Sequence, residues 1–311
     1  MGDRTGAVGE NVVRVPRIGY VSVICWDASF RENFDALACA FDQTVPEDRY
    51  EVIFVEYYAA VRPRARALAE GRENAQVVAL GNAHSGAENE HVIGACVNEG
   101  VRRARGDLIV VPDADVLFEE DFLEEIIRRH EQVEELVLYF HRIDEPPTDD
   151  PVARTIESVR EVGRIEYPDN YGACLSVRKR WLEAINGYDE HPLWRGYSSV
   201  GRDTAVRLQN LGLCVQWHPE KFVYHGYHPG TAAPDAESRR RVEIQRAVIR
   251  GRQRALETLP LRGLDPEREP AWKPDLLESG AGGGVRSLLR RIVRTVLPAG
   301  LRRRLLRLLL D

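Results

Sequence analysis

Cysteine is scarce and odd in number. Cys25, Cys39, Cys96, Cys174 and Cys214 are widely spaced and no two form a CxxC pair. That argues against a disulfide scaffold or a structural zinc, and it fits a reducing cytosol. Long apolar runs are missing as well: none reaches the roughly 20 residues that span a bilayer. The first 17 residues mix charge with glycine and lack the apolar stretch of a secretory signal. The expectation is a cytoplasmic protein, either soluble or held on the inner face of a membrane. A net basic balance is absent from most of the chain. The net charge is −6, yet residues 285–311 hold eight arginines and one aspartate, about +7, so the rest carries −13. A nucleic-acid binder needs its basic patch on the folded part, so no nucleic-acid partner is expected.

What remains is an ordinary globular composition, 43% hydrophobic and 30% charged, able to bury a core. Apolar, β-branched stretches at residues 20–25, 51–56, 76–80, 108–111, 136–140 and 173–177 read as strands, and the strand after Gly212 ends at residues 222–225. Between them, helices are expected over residues 29–41, 63–70, 90–105, 119–130, 178–185 and 204–211. The first opens on a Ser29-x-x-Glu32 capping box. This alternation predicts an α/β fold with a mainly parallel sheet covered by helices. The expected organisation is a flexible N-terminus (1–17), a main domain (18–230), a helical extension (231–259), a Pro/Gly-rich linker (260–284) and a basic tail (285–311). In the tail, Val285, Leu288, Leu289, Ile292, Val293, Val296 and Leu297 form an apolar helical stripe beside arginines. Such a helix either packs on protein or lies on an anionic membrane surface.

The most informative segment runs from Asn98-Glu99-Gly100 through the apolar strand 108–111 to Pro112-Asp113-Ala114-Asp115. Ligands in open α/β sheets bind where strands reach their carboxyl ends. Two carboxylates spaced i, i+2 at such an end can share a hard divalent cation that also holds phosphate oxygens. Two solvated aspartates in a turn are the plainer alternative.

The ordered set of motifs resembles the family 2 glycosyltransferases of GT-A type, a Rossmann-like nucleotide-diphospho-sugar transferase fold. The matching pieces are Val21-Ser22-Val23-Ile24, Phe41-Asp42-Gln43-Thr44 with residues 50–56, Asn98 to Asp115, Asn186-Gly187-Tyr188-Asp189-Glu190, and Asp203-Thr204-Ala205-Val206-Arg207-Leu208. The C-terminal part also resembles galactosyltransferase-like segments. The resemblance implies a metal-dependent, inverting transfer of a sugar from a nucleotide-diphospho-sugar, with UDP-sugars favoured. The acceptor would be a hydroxyl on a glycan, lipid-linked or small-molecule substrate. Glu56, Asp113, Asn98 and Trp26 would contact the donor. Asp113, Asp115 and His225 would hold Mn2+ or Mg2+, with His228 competing for the last place. A histidine ligand favours manganese.

Two departures from the pattern matter. The opening strand runs into Cys25-Trp26-Asp27-Ala28-Ser29, which leaves Trp26 as either a base-stacking ring or a core residue. The Glu-Asp pair that supplies the catalytic base falls at Val200 and Gly201. Asp203 is then either the base or a helix cap, with Asp189 and Glu190 in reserve. Trp194 and Tyr197 are stacking candidates for an acceptor sugar. Two rival functions are weighed. A nucleotidyltransferase would need a Gly-rich basic loop after the first strand, which residues 25–31 do not provide. A catalytically degenerate sugar-nucleotide-binding protein is compatible with the missing pair.

Overall fold

The computed structural model describes residues 15–28, 33–83, 91–148, 154–196, 198–228 and 236–274. The basic tail, Tyr197 and the expected helix start at residues 29–32 lie outside the described residues. The strands are β1 (Val21–Asp27), β2 (Tyr50–Tyr58), β3 (Ala75–Asn82), β4 (Leu108–Pro112), β5 (Val116–Leu117), β6 (Leu136–Asp144), β7 (Cys174–Arg178) and β8 (Cys214–His225). The helices are α1 (Asp35–Ala40), α2 (Pro63–Ala69), α3 (Ile93–Arg103), α4 (Phe122–His130), α5 (Ile156–Val162), α6 (Lys179–Ala184), α7 (Val200–Asn210) and α8 (Ala236–Ala255). All of them fall within one compact unit that ends at Ala271.

One eight-stranded sheet runs in the order β3-β2-β1-β4-β7-β6-β8-β5. β1 and β4 are buried along their whole length. That is why they are mostly apolar rather than alternating with polar residues, Ser22 and Asp27 of β1 being the exceptions. The half from β3 to β4 is parallel, as is β6 with β8. β7 runs antiparallel to both β4 and β6, and β5 antiparallel to β8. The sheet is therefore mixed, less uniformly parallel than expected. A strand buried on both faces carries the same apolar run in either direction, so its sequence does not reveal β7's polarity. Register then decides the chemistry. β4 sits beside β1 so that Val21 faces Leu108, and its carboxyl end delivers Asp113 past the sheet edge.

Helices α7 and α8 are tied by a buried set of four charges. Arg207 donates through Nε to Asp203 at 2.9 Å, one helical turn away. Arg252 on α8 reaches Asp203 with Nε at 2.9 Å and Asp189 with a terminal nitrogen at 2.6 Å. All four side chains are at most 1% exposed. The remaining Arg207 donors go to the carbonyls of Ile185 and Gly187, at 3.0 and 2.7 Å. Those carbonyls belong to the turn after α6, where Asn186 and Gly187 take positive φ values of 59° and 72°. Asparagine and glycine are the residues that tolerate this conformation. Asp189 also accepts from the backbone N–H groups of His191, Leu261 and Arg262. Each charge is thus matched by an opposite charge and by hydrogen bonds, the condition under which buried ions are tolerated.

Removing one member leaves its partners charged and dry. Arg252→Ala is expected to destabilise the fold by about 3–5 kcal/mol, the usual cost of breaking a buried pair. Arg250→Ala, at an exposed position of the same helix, is expected to stay within about 0.5 kcal/mol. Urea unfolding of both variants checks the contrast; equal midpoints would contradict it.

Candidate donor and metal site

The carboxyl ends of β4, β6 and β8 converge on one cluster. Pairing of β5 with β8 sets Val116 opposite His225, which places Asp115 beside that histidine. Pairing of β6 with β8 sets Asp144 opposite the same residue. Nε2 of His225 lies 3.3 Å from Oδ2 of Asp115, and its Nδ1 lies 3.0 Å from Oδ1 of Asp144. His228 brings its own Nε2 to 3.1 Å from the same Asp115 oxygen and 3.1 Å from Nε2 of His225. Arg142 spans the other side, 2.8 Å from Asp144 and 3.7 Å from Asp113.

The electrostatics follow from this crowding. Burial and the neighbouring Asp115 charge push the Asp113 carboxyl up to about 6. Burial would raise Asp115 too, but hydrogen bonds from His225 and His228 hold it well below the usual carboxylate range. Burial would lower the His225 ring, yet the bonds to Asp115 and Asp144 lift it to about 9.

This donor set suits a divalent cation. One oxygen or ring nitrogen from each of Asp115, His225 and His228 lies within 4.8 Å of the others. The second oxygen of Asp115, Oδ1, is buried and has no hydrogen-bond partner among the described residues. Two ring nitrogens aimed at one carboxylate, with Asp144 fixing the far nitrogen of one ring, is the arrangement by which proteins orient histidine ligands. Asp113 stands at the edge of this group, within reach of Arg142 rather than of the histidines.

The predicted donor contacts separate. Glu56, two residues before the end of β2, lies beside Asp27 at the end of β1. It is buried, accepts from the Tyr58 backbone N–H at 3.1 Å, and keeps Oε2 without a hydrogen-bond partner among the described residues. Trp26 is largely buried at 9% exposure, its ring 6.4 Å from that of His91. Asn98 is consumed inside the protein. Its amide donates to the Tyr188 carbonyl and to Glu190, and its oxygen accepts from the Tyr188 N–H.

The residues expected at the acceptor also part company. Asp203 and Asp189 are both 0% exposed and held in the four-charge set. Glu190 lies apart from them, ion-paired with Arg102 at 3.2 Å. Trp194 is fully buried, so its ring offers no open face. Gly201, one of the two positions at which the sequence resemblance places the family's acidic pair, has no room for a side chain: a Cβ there would lie 2.4 Å from the Tyr171 carbonyl oxygen. Arg142 and Asp144 were missed in the sequence. Their signal was nonetheless present, since they are spaced i, i+2 at the end of an apolar strand, just as Asp113 and Asp115 are.

Residues 35–185 match the family model described as Glycosyl transferase family 2. This segment, just under half of the 311 residues, is similar to that family. The curled sheet flanked by helices is of the GT-A type. No curated protein matches it in sequence. Among solved structures, S. aureus TarS 1-349 is 15% identical, with a TM-score of 0.49 over 67% of this chain and 60% of that one. TarS 1-349 in complex with UDP is 15% identical, with a TM-score of 0.50 over 76% and 72%. The mannosyltransferase PcManGT from Pyrobaculum calidifontis, in complex with GDP-Man and Mn2+, is 17% identical, with a TM-score of 0.49 over 76% and 66%. The chain spans 60% of the length of the first TarS structure.

Glu56 gives the site a measurable pH signature. Burial pushes its carboxyl up to about 7, with the nearby Asp27 charge acting in the same direction. The folded state thus holds this proton more tightly than the unfolded chain, whose glutamates titrate near about 4.3. The resulting stabilisation is complete below the unfolded value and is lost as pH rises through about 7. Denaturant titrations from pH 4 to 8 are expected to show wild type losing stability relative to Glu56→Gln across that window. Parallel curves for the two proteins would contradict it.

Proposed function

We propose that the protein moves a sugar from a nucleotide-diphospho-sugar, UDP-sugars being favoured, to a hydroxyl acceptor with inversion, using a divalent cation at the Asp115 cluster. The observation that carries this reading is the convergence of Asp115, His225 and His228 at the strand ends, with one buried Asp115 oxygen left without a partner. Asp115, His225 and His228 would hold the cation, with Asp113 beside them. Two imidazoles in an otherwise oxygen-rich set favour manganese over magnesium. When bound, such an ion acts as a Lewis acid toward the leaving diphosphate. Glu56 supports the donor assignment: a buried carboxylate with an unused oxygen at a strand end is suited to accept from a base or ribose. The UDP in the TarS complex points to the same nucleotide.

In this reading Asp203 and Asp189 are positioning residues. A general base needs a lone pair that reaches the acceptor hydroxyl, and both carboxylates are sealed from solvent against Arg207 and Arg252, although Asp203 Oδ1 has no hydrogen-bond partner among the described residues. They fix the first turn of α7, which walls the neighbouring cavity. A degenerate, binding-only protein is the alternative that the empty base position keeps in play.

The deciding experiment measures hydrolysis and transfer with a panel of nucleotide sugars, with and without manganese. Turnover of a UDP-sugar that requires the metal is expected; binding with no turnover of any donor would favour the binding-only alternative. Asp115→Asn is expected to keep the fold and abolish manganese-dependent UDP binding, since it removes a charged ligand oxygen. His225→Ala is expected to weaken it less, because water can fill one ligand position. Calorimetry showing the same UDP affinity with and without manganese in wild type and Asp115→Asn would sink the metal assignment.

The tail belongs to the same proposal. Its apolar stripe and arginines would hold the enzyme reversibly on an anionic surface, each basic residue contributing about 1 kcal/mol near the leaflet. Co-sedimentation with anionic liposomes is expected to retain the full chain and to lose a chain ending at Gly284. Equal behaviour of the two at low salt would refute it.

A further inference from the structure

Beside the donor site lies a cavity of about 750 Å³ whose floor is the segment from Glu166 to Gly172 and whose wall is built by α7 and α8. The floor leads directly to the strand ends: the Ala173 carbonyl accepts from the Asp113 N–H at 2.9 Å. The cavity therefore opens where an acceptor has to stand if the donor is held as proposed above, and the inference rests on that reading for its place in the reaction.

Its charge is unexpected. The body of this protein is strongly acidic, yet Arg202, Arg246 and Arg250 all line this one cavity. Arg246 and Arg250 are one helical turn apart on α8, so they share a face. Arg202 comes from the first turn of α7, its guanidinium 5.9 Å from the centre of the Tyr171 ring. All three are exposed, and none has an ion-pair partner among the described residues. Several arginines elsewhere in the fold are matched: Arg105 to Glu51, Arg128 to Glu125, Arg160 to Glu119. Two carboxylates also line the cavity, Glu166 and Asp169, but Glu166 is already paired with Arg164 at 3.0 Å. A further polar group is idle in the wall. The hydroxyl of Ser198 is buried and has no hydrogen-bond partner among the described residues.

We propose that this cavity is the acceptor site and that it selects an anionic acceptor, one carrying a phosphate or carboxylate group that Arg202, Arg246 and Arg250 bind. Guanidinium groups recognise both oxyanions through paired, charge-assisted hydrogen bonds. The idle Ser198 hydroxyl supplies one more donor. The absence of a side chain at Gly201 lets the wall pack directly on the floor at the Tyr171 carbonyl, which fixes the two sides of the cavity against each other.

The test uses the full chain and reads binding directly. Calorimetry with glycerol 3-phosphate and with glucuronic acid is compared with their neutral counterparts, glycerol and glucose, in the presence and absence of UDP and manganese. At least one anion is expected to bind, more weakly as salt rises, with the neutral compounds showing no heat. The double variant Arg246→Glu, Arg250→Glu is expected to lose at least about tenfold in that affinity, while its UDP binding stays unchanged. Both positions are exposed, so the fold is retained, and an unchanged urea midpoint verifies this. Anions that bind no better than the neutral compounds overturn the proposal, as does a double variant that binds them like wild type. Failure of the donor reading would show separately, as absent manganese-dependent UDP binding, and the titration without UDP still reads the cavity.

Discussion

The constraint on which the acceptor half of the molecule depends is charge balance among Asp189, Asp203, Arg207 and Arg252. An unpaired ion in a dry interior costs several kcal/mol, so these four must assemble together or not at all. Their assembly joins three stretches that are distant in sequence: the turn after α6, the start of α7 and the end of α8. It also draws in residues 261–262 through the backbone bonds to Asp189. The consequence reaches the surface. Because Arg252 points inward to the set, Arg246 and Arg250 on the same helix face outward over the cavity, where neither has an ion-pair partner among the described residues.

The donor half is organised differently, by strand register rather than by ion pairs between helices. β8 is long enough, at 12 residues, to pair with both β6 and β5. A one-residue slip would turn His225 to the opposite face of the sheet and separate it from both Asp115 and Asp144. The cluster therefore inherits its geometry from strand pairing, with the register shift between Tyr139 and His141 setting which β6 residues face the end of β8. That suits a site whose groups must keep fixed positions against their own mutual repulsion, since Asp113, Asp115 and Asp144 crowd around a single Arg142.

Much of this was legible in the sequence, for identifiable reasons. The apolar runs at residues 108–111 and 20–25 are long and β-branched, so β4 and β1 stand out, and Asp113 and Asp115 stand out because they interrupt such a run. α5 is invisible to the same reasoning: its capping box is Thr155 with Ser158, not glutamate, and it follows a proline-rich stretch. β5 has two residues, too few for any period. Asp203 shows the deeper limit. Its i, i+4 relation to Arg207 can be read locally, but its second partner, Arg252, lies 49 positions on. Whether a carboxylate is open or sealed depends on that distant residue, and no local pattern carries it. Asn98 is similar. It lies in the right segment for a donor contact, yet Tyr188 and Glu190, about ninety residues away, take its amide.

The family's base position is where sequence and structure meet most sharply. A glycine at 201 could reflect a carboxylate that had drifted elsewhere along the loop, or a site reshaped so that no carboxylate fits. The 2.4 Å approach of the Tyr171 carbonyl to a Cβ at that position selects the second. A side chain there would have to displace the floor of the cavity, the same segment that leads into β7 and positions Asp113. Restoring the missing acid by substitution would thus disturb the donor site as well as the acceptor site.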